Sequence, residues 1–336
     1  MSCCRPGPRP EALADNLPMP HAVSDLRAAR LARSAKPFLA RGGFKRERCA
    51  DCRLVPSHCM CALRPSLTTR AGVCLLMADI EPLKPSNTGW LVADVVPDTF
   101  AFGWKRTETD PALLALLRDP QWHPYVVFPG RYAAPERVVR TVQPPDSLRD
   151  EAPKKRPLFI LLDGTWSEAR KMFRRSPYLD RLPVLSLEPD QTSQYKLRNS
   201  GRNDHFCTSE VAALCMKLAG ELAAEQTLEA YLAVFTHHYL HAKNQQPIEL
   251  DGAAHQRLRE VSRRMNGRTA SQPAVAPASR NGTEQRTDPG RHCHGQCAPE
   301  GHAQRALGHR CAADERRHGP QQGEQECGAD DSPWQQ

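Results

Sequence analysis

The sequence predicts an α/β fold with a mostly parallel sheet, preceded by a small cysteine module. Three observations lead there. Short apolar runs alternate with helical stretches from Gly72 to about Lys243, the pattern of strand–helix–strand units. Cys49, Cys52, Cys59 and Cys61 cluster just before that region. Beyond Met265 the apolar residues run out, so any core is complete by then.

Taken in order, residues 1–44 are rich in Arg, Ala and Pro and read as a basic, largely flexible arm, within which Ser24–Arg33 can form a short helix. Residues 45–66 hold the cysteine module, 67–260 the α/β domain, and 261–336 a tail rich in Gly, Pro, Gln, Arg and His that reads as disordered. Val73–Met77 is a continuous apolar run, as a strand buried on both faces requires. Ser86-Asn87-Thr88-Gly89 offers helix-capping chemistry ahead of Trp90–Val96. Thr99–Trp104 reads as the second strand and Pro111–Arg118 as a helix with proline in its first turn. Tyr125–Phe128 and Leu158–Leu162 are further strands, and Thr165–Arg175 is an amphipathic helix ended by Ser176-Pro177. Val184–Leu187 is a short fifth strand, and Thr208–Glu225 and Leu228–His241 are two closing helices.

Composition narrows the function classes. The 336 residues carry a net charge of +8, which admits a polyanionic partner without demanding one. Apolar residues make up 40% and aromatics 6%, values that fit a chain of which part does not fold. No run approaches the roughly 20 apolar residues of a transmembrane helix. The opening MSCCRPGPRP lacks the apolar core of a secretory signal, so a cytoplasmic location without membrane contact is expected. Thirteen cysteines is an odd number, which forbids complete disulfide pairing and favours metal ligation for those that cluster. The tail cysteines Cys293, Cys297, Cys311 and Cys327 stand among scattered histidines and could bind metal adventitiously, or belong to an unstructured extension.

The cluster reads C-x2-C-x6-C-x-C. Each close pair spans one edge of a tetrahedron, and four thiolates make a closed, structural zinc site. Arg46, Arg48, Arg53 and Arg64 around it suit a nucleic-acid-facing knuckle or, more plainly, a solvated rim. His237 and His241 share a helix face, but two such imidazoles need further ligands to hold a metal.

In open α/β sheets, ligands bind beyond the carboxyl ends of the strands. Two such ends are chemically loaded: the segment Asp79–Gly89 after the first strand, and Asp163-Gly164-Thr165-Trp166 after the fourth. Asp163 stands where a general base or a substrate-binding carboxylate would stand, although Asp and Thr there also serve as turn and cap residues. Arg170, Lys171, Arg174 and Arg175 follow, with Tyr195, Lys196, Arg198 and Arg202 further on. Cations with Tyr195 and Trp166 available for stacking make an RNA-binding surface; taken singly, each is an ordinary solvated charge.

These residues together resemble the DTW-domain family. The resemblance is carried by Leu161-Leu162-Asp163-Gly164-Thr165-Trp166 with Glu168-Ala169-Arg170-Lys171-Met172. The four cysteines, Glu81 with Lys84-Pro85-Ser86-Asn87-Thr88-Gly89, Phe128-Pro129, Tyr195-Lys196-Leu197-Arg198 and Cys207-Thr208-Ser209-Glu210-Val211 follow in the family's order, over about residues 45–245. The last motif departs from the family's Ser-Thr-x-Glu-Ala at Cys207 and Val211, which are close to Ser and Ala in size. The resemblance implies a knotted, SPOUT-like core, S-adenosylmethionine as donor and tRNA as acceptor. It implies transfer of the 3-amino-3-carboxypropyl group to N3 of a uridine in the variable loop, releasing methylthioadenosine. On that reading the catalytic group is Asp163, which takes or orients the uracil proton, with Thr165 and Trp166 shaping the donor pocket. Ser86, Asn87, Thr88, Gly89, Phe128, Pro129, Thr208 and Glu210 line the donor pocket. Arg170, Lys171, Arg174, Arg175, Tyr195 and Arg198 meet RNA, and Cys49, Cys52, Cys59 and Cys61 hold zinc. An RNA methyltransferase with the same donor and a non-catalytic, zinc-containing RNA-binding protein are the alternatives. The sequence does not specify an oligomeric state.

Overall fold

The computed structural model describes residues 21–35, 47–142, 155–187 and 206–269. They all fall in the compact unit Met1–Pro273; the unit Ala274–Gln336, with the tail cysteines, lies outside the described residues. In chain order the elements are α1 (Ala22–Ala32), β1 (Gly72–Met77), α2 (Gly89–Val95), β2 (Thr99–Gly103), α3 (Pro111–Arg118) and β3 (Trp122–Val127), then β4 (Val138–Val139), β5 (Arg156–Asp163), α4 (Trp166–Arg174), β6 (Val184–Leu185), α5 (Thr208–Leu218), α6 (Leu222–Asn244) and α7 (Ala253–Thr269).

The six strands form one all-parallel sheet in the order β2-β1-β5-β3-β6-β4. Side chains of a strand alternate between its faces, and the two faces build two cores. Val73, Leu75 and Met77 of β1, with Phe159 and Leu161 of β5, pack against α2, α5, α6 and α7. Cys74 and Leu76, with Leu158 and Ile160, pack against α3 and α4. Helices on both faces explain why β1 is buried at every residue and reads as an unbroken apolar run.

Several boundaries differ from the sequence reading, each for a local reason. The expected Thr208–Glu225 helix is broken at Gly220, whose φ of +78° ends α5 and frees Glu221 to accept hydrogen bonds from the amides of Arg70 and Ala71 at 2.7 and 3.3 Å. Strand β3 starts at Trp122 and includes Pro124, which pairs with Leu158. Proline is tolerated there because β6 reaches only Val126 and Val127, leaving Pro124 on a local edge. In the segment read as a flexible arm, α1 buries Val23 completely and lays His21 edge-on against Trp90, ring centres 4.6 Å apart. The threading expected of a knotted chain depends on the paths of 143–154 and 188–205, which lie outside the described residues.

Helix α7 crosses the boundary that composition draws at residue 261. Its apolar stripe is narrow: Ala254, Leu258, Val261 and Met265, with His255 among them, turn to the core while most other positions are polar. His238 Nδ1 lies 2.9 Å from the His58 carbonyl and therefore carries its proton, so His238 Nε2 accepts from His255 Nε2 at 2.8 Å. Burial lowers both imidazoles, His238 to about 4. The unfolded chain binds these protons near pH 6.5, so the pair's contribution to stability is complete above that pH and is lost as pH falls toward 4. We expect the thermal midpoint to drop over that window. The drop should be shallower in His255→Gln, which can still donate to His238 but does not titrate.

Candidate functional site

The cysteine loop closes on itself through backbone bonds from Cys49 N to Leu54 O (2.8 Å) and from Arg53 N to Cys49 O (3.0 Å). This turn brings the four sulfurs together: Cys49–Cys61 at 3.5 Å, Cys52–Cys59 at 3.7 Å and Cys49–Cys59 at 3.8 Å. A tetrahedral zinc with bonds of about 2.3 Å sets its sulfurs about 3.8 Å apart, so the residues present fit the ion. Hydrogen bonding from Cys61 draws the Cys52 thiol down to about 5 and pushes the Cys61 thiol up. A divalent cation is what would let all four ionise. Among the described residues this is the one cluster of three or more metal-capable groups; His237, His238, His241 and His255 do not converge in that way.

The charged rim behaves otherwise than the sequence suggests. Arg53 is 1% exposed, and its guanidinium donates to the carbonyls of Lys84 (3.0 Å) and Asn87 (3.1 Å). Arg64 pairs with the buried Asp94 at 2.9 Å, and Arg48 donates to the Arg53 carbonyl at 3.0 Å. These three point into the protein rather than toward RNA; Arg46 lies outside the described residues.

Asp163 ends β5 and pairs with Met77 of β1. It keeps the parity of Phe159 and Leu161, so its side chain turns to the face covered by α2 and α5. There it is 1% exposed. Its Oδ2 accepts from Asn87 Nδ2 and its Oδ1 from Thr208 Oγ1, both at 2.7 Å. Asn87 in turn accepts from Trp90 N at 3.2 Å, so it, rather than Thr88, supplies the side-chain bond that opens α2. Thr88 Oγ1 meets Ser209 N at 3.4 Å, and Glu210 accepts from Cys207 N at 2.8 Å. Glu81, buried, pairs with Lys84 and approaches Asn87 Nδ2 at 3.4 Å. One carboxylate thus ties together three segments distant in sequence. Gly89 leaves room for it, because a Cβ there would lie 2.7 Å from Asp163 Oδ2 and 3.3 Å from Leu75 Cδ1. We expect Gly89→Ala to destabilise the fold by about 1–3 kcal/mol through overpacking, measurable by chemical denaturation.

The other expected site residues divide between places. Thr165 caps α4, accepting from Glu168 N at 3.3 Å while Glu168 Oε2 accepts from Thr165 N at 2.8 Å. Trp166 belongs to the opposite face of the sheet from the Asp163 side chain. It stacks on Phe128 at 5.4 Å and 8° and meets Tyr132 edge-on at 5.8 Å. Pro129 leads into the turn Gly130–Tyr132. The Arg170 guanidinium lies over the Tyr132 ring at 5.5 Å, and that of Arg131 at 4.9 Å. Lys171, Arg174 and Arg175 are exposed, and Ser86 is half-buried in its loop. Tyr195, Arg198, Lys196 and Arg202 lie outside the described residues. The edge therefore carries a polar group around Asp163 on one face and an aromatic–guanidinium group around Trp166 on the other.

Sequence reasoning does not assign the structural roles of four contributors. Arg53 was read only as a surface charge. Arg30 grips Asp79 with two bonds of 2.8 and 2.7 Å, and Arg27 donates to the Leu83 carbonyl at 3.1 Å, so α1 braces the loop after β1. Glu168 carries a sequence signal, the Thr-x-x-Glu spacing of a capping box.

Sheet and knuckle define an α/β protein with a four-cysteine cluster that fits a metal ion and a candidate site at the carboxyl edge of a parallel sheet. The DTW domain model matches residues 46–240, more than half of the chain, and the chain belongs to that family. The family is associated with tRNA-modifying enzymes. The match takes in the knuckle and all six strands, and leaves α1 and α7 outside. No solved structure matches the chain significantly.

Proposed function

We propose that the protein transfers the 3-amino-3-carboxypropyl group of S-adenosylmethionine to N3 of a tRNA uridine. The observation that carries this reading is the Asp163 junction. A single buried carboxylate joins the DTW turn, the Asn87–Gly89 segment and the start of α5, three of the motifs that carry the resemblance, all within the residues that the family model matches.

The donor supplies a sulfonium that activates three carbons. The uracil N3–C bond forms as the C–S bond breaks, the pair stays on sulfur, and neutral methylthioadenosine leaves. The N3 proton must go elsewhere, and Asp163 is its acceptor on this reading. The bonds from Asn87 and Thr208 fix the orientation of that carboxylate. The amides at the start of α5, with Thr208 and Glu210, suit the carboxylate and ammonium of the transferred group. Choosing one of three carbons is a matter of position, and the rigid Asn87–Thr208 clamp serves that need. The stack of Phe128, Trp166 and Tyr132, with Arg131 and Arg170 on it, suits a nucleobase and its phosphate. Lys171, Arg174 and Arg175 extend the charge for the tRNA backbone. The four-cysteine knuckle would hold zinc structurally.

Donor labelled separately in the methyl and in the carboxyl carbon tests this reading. Transfer of the carboxyl label alone to tRNA is expected; transfer of the methyl label would make the protein a methyltransferase.

A further inference from the structure

We propose that Arg53 is a positioning residue that couples metal binding in the cysteine knuckle to the geometry of the Asp163 site. Arg53 follows Cys52 directly and has a φ of 62°. That left-handed conformation favours glycine, and an arginine there signals that the side chain has a task. The task is visible. The buried guanidinium lies 4.2 Å over the Trp90 ring and donates to the Lys84 and Asn87 carbonyls at 3.0 and 3.1 Å. Those carbonyls bracket the turn from which the Asn87 side chain reaches Asp163 at 2.7 Å.

The path is therefore short and continuous. Backbone bonds from Arg53 N to Cys49 O and from Cys49 N to Leu54 O close the turn, and a metal held by the Cys49 and Cys52 thiolates would tie it further. The turn aims Arg53, Arg53 holds the 84–87 backbone, and Asn87 orients Asp163. A guanidinium can span two carbonyls as a planar fork, which an ammonium cannot. The catalytic consequence rests on the transferase reading, but the coupling itself does not.

The test is hydrogen exchange of the full-length protein, followed by mass spectrometry and needing neither donor nor RNA. Three samples are compared: zinc-loaded wild type, wild type stripped with a chelator, and zinc-loaded Arg53→Lys. We expect Arg53→Lys to keep one zinc per chain while protection over residues 84–90 falls at least tenfold and that over β5 stays unchanged. Stripping wild type should give the same loss over 84–90, and stripping Arg53→Lys should add little there. Unchanged protection of 84–90 in zinc-loaded Arg53→Lys would overturn the proposal. So would stripped wild type that opens only at 47–64. If Arg53→Lys fails to fold, the stripped wild type decides alone. A uniform loss across the sheet would mean a general structural role and also overturn it.

Discussion

Asp163→Asn is expected to fold, load zinc and lose about 10²–10⁴-fold in the rate of tRNA modification. The substitution is isosteric, so the core around Phe159 and Leu161 is undisturbed. The amide oxygen still accepts from Asn87 Nδ2, and the amide nitrogen can donate to Thr208 Oγ1, whose hydroxyl turns to accept. What the substitution removes is the negative charge that would receive the uracil proton. The measurement is kcat/KM on unmodified tRNA, with circular dichroism and metal content as controls. A variant within a few-fold of wild type would show that Asp163 is only a structural clasp.

Cys52→Ser carries the second large effect. We expect metal content to fall from one ion per chain to a small fraction, and stability to fall by at least about 3 kcal/mol. The reason lies beyond the lost ligand. Cys52, Leu54 and Met60 are buried in the same core as Val73, Leu75 and Trp90. A slackened knuckle therefore opens one wall of the main core rather than a separate appendage. Denaturation in the presence and absence of zinc measures this. Full metal content with unchanged stability would exclude Cys52 from the site.

The sequence showed some of this architecture plainly and hid the rest for identifiable reasons. The unbroken run Val73–Met77 and the apolar Leu158–Leu162 announce strands covered on both sides, and they occupy the middle of the sheet. The four cysteines are legible because one short loop supplies them all, so neighbours in space are also neighbours in sequence. Asp163 and Asn87 are each visible as polar residues at strand ends, but their contact spans 76 positions. No local pattern states such a contact. A charged residue in a loop is normally solvated, which hides the role of Arg53; only the fold shows that its guanidinium is pressed against Trp90 of α2. Trp166 follows Asp163 closely in sequence, yet the turn into α4 delivers it to the other face of the sheet. Helix α7 escaped notice because a stripe of four residues on an arginine-rich helix barely alters composition.

Nucleoside mass spectrometry tests the central claim most directly. Unmodified tRNA is incubated with the zinc-loaded protein and S-adenosylmethionine, digested and analysed. The account predicts a uridine heavier by one aminocarboxypropyl group, with methylthioadenosine released in equal amount. A methylated nucleoside, or tRNA bound but unchanged with the donor intact, would contradict it.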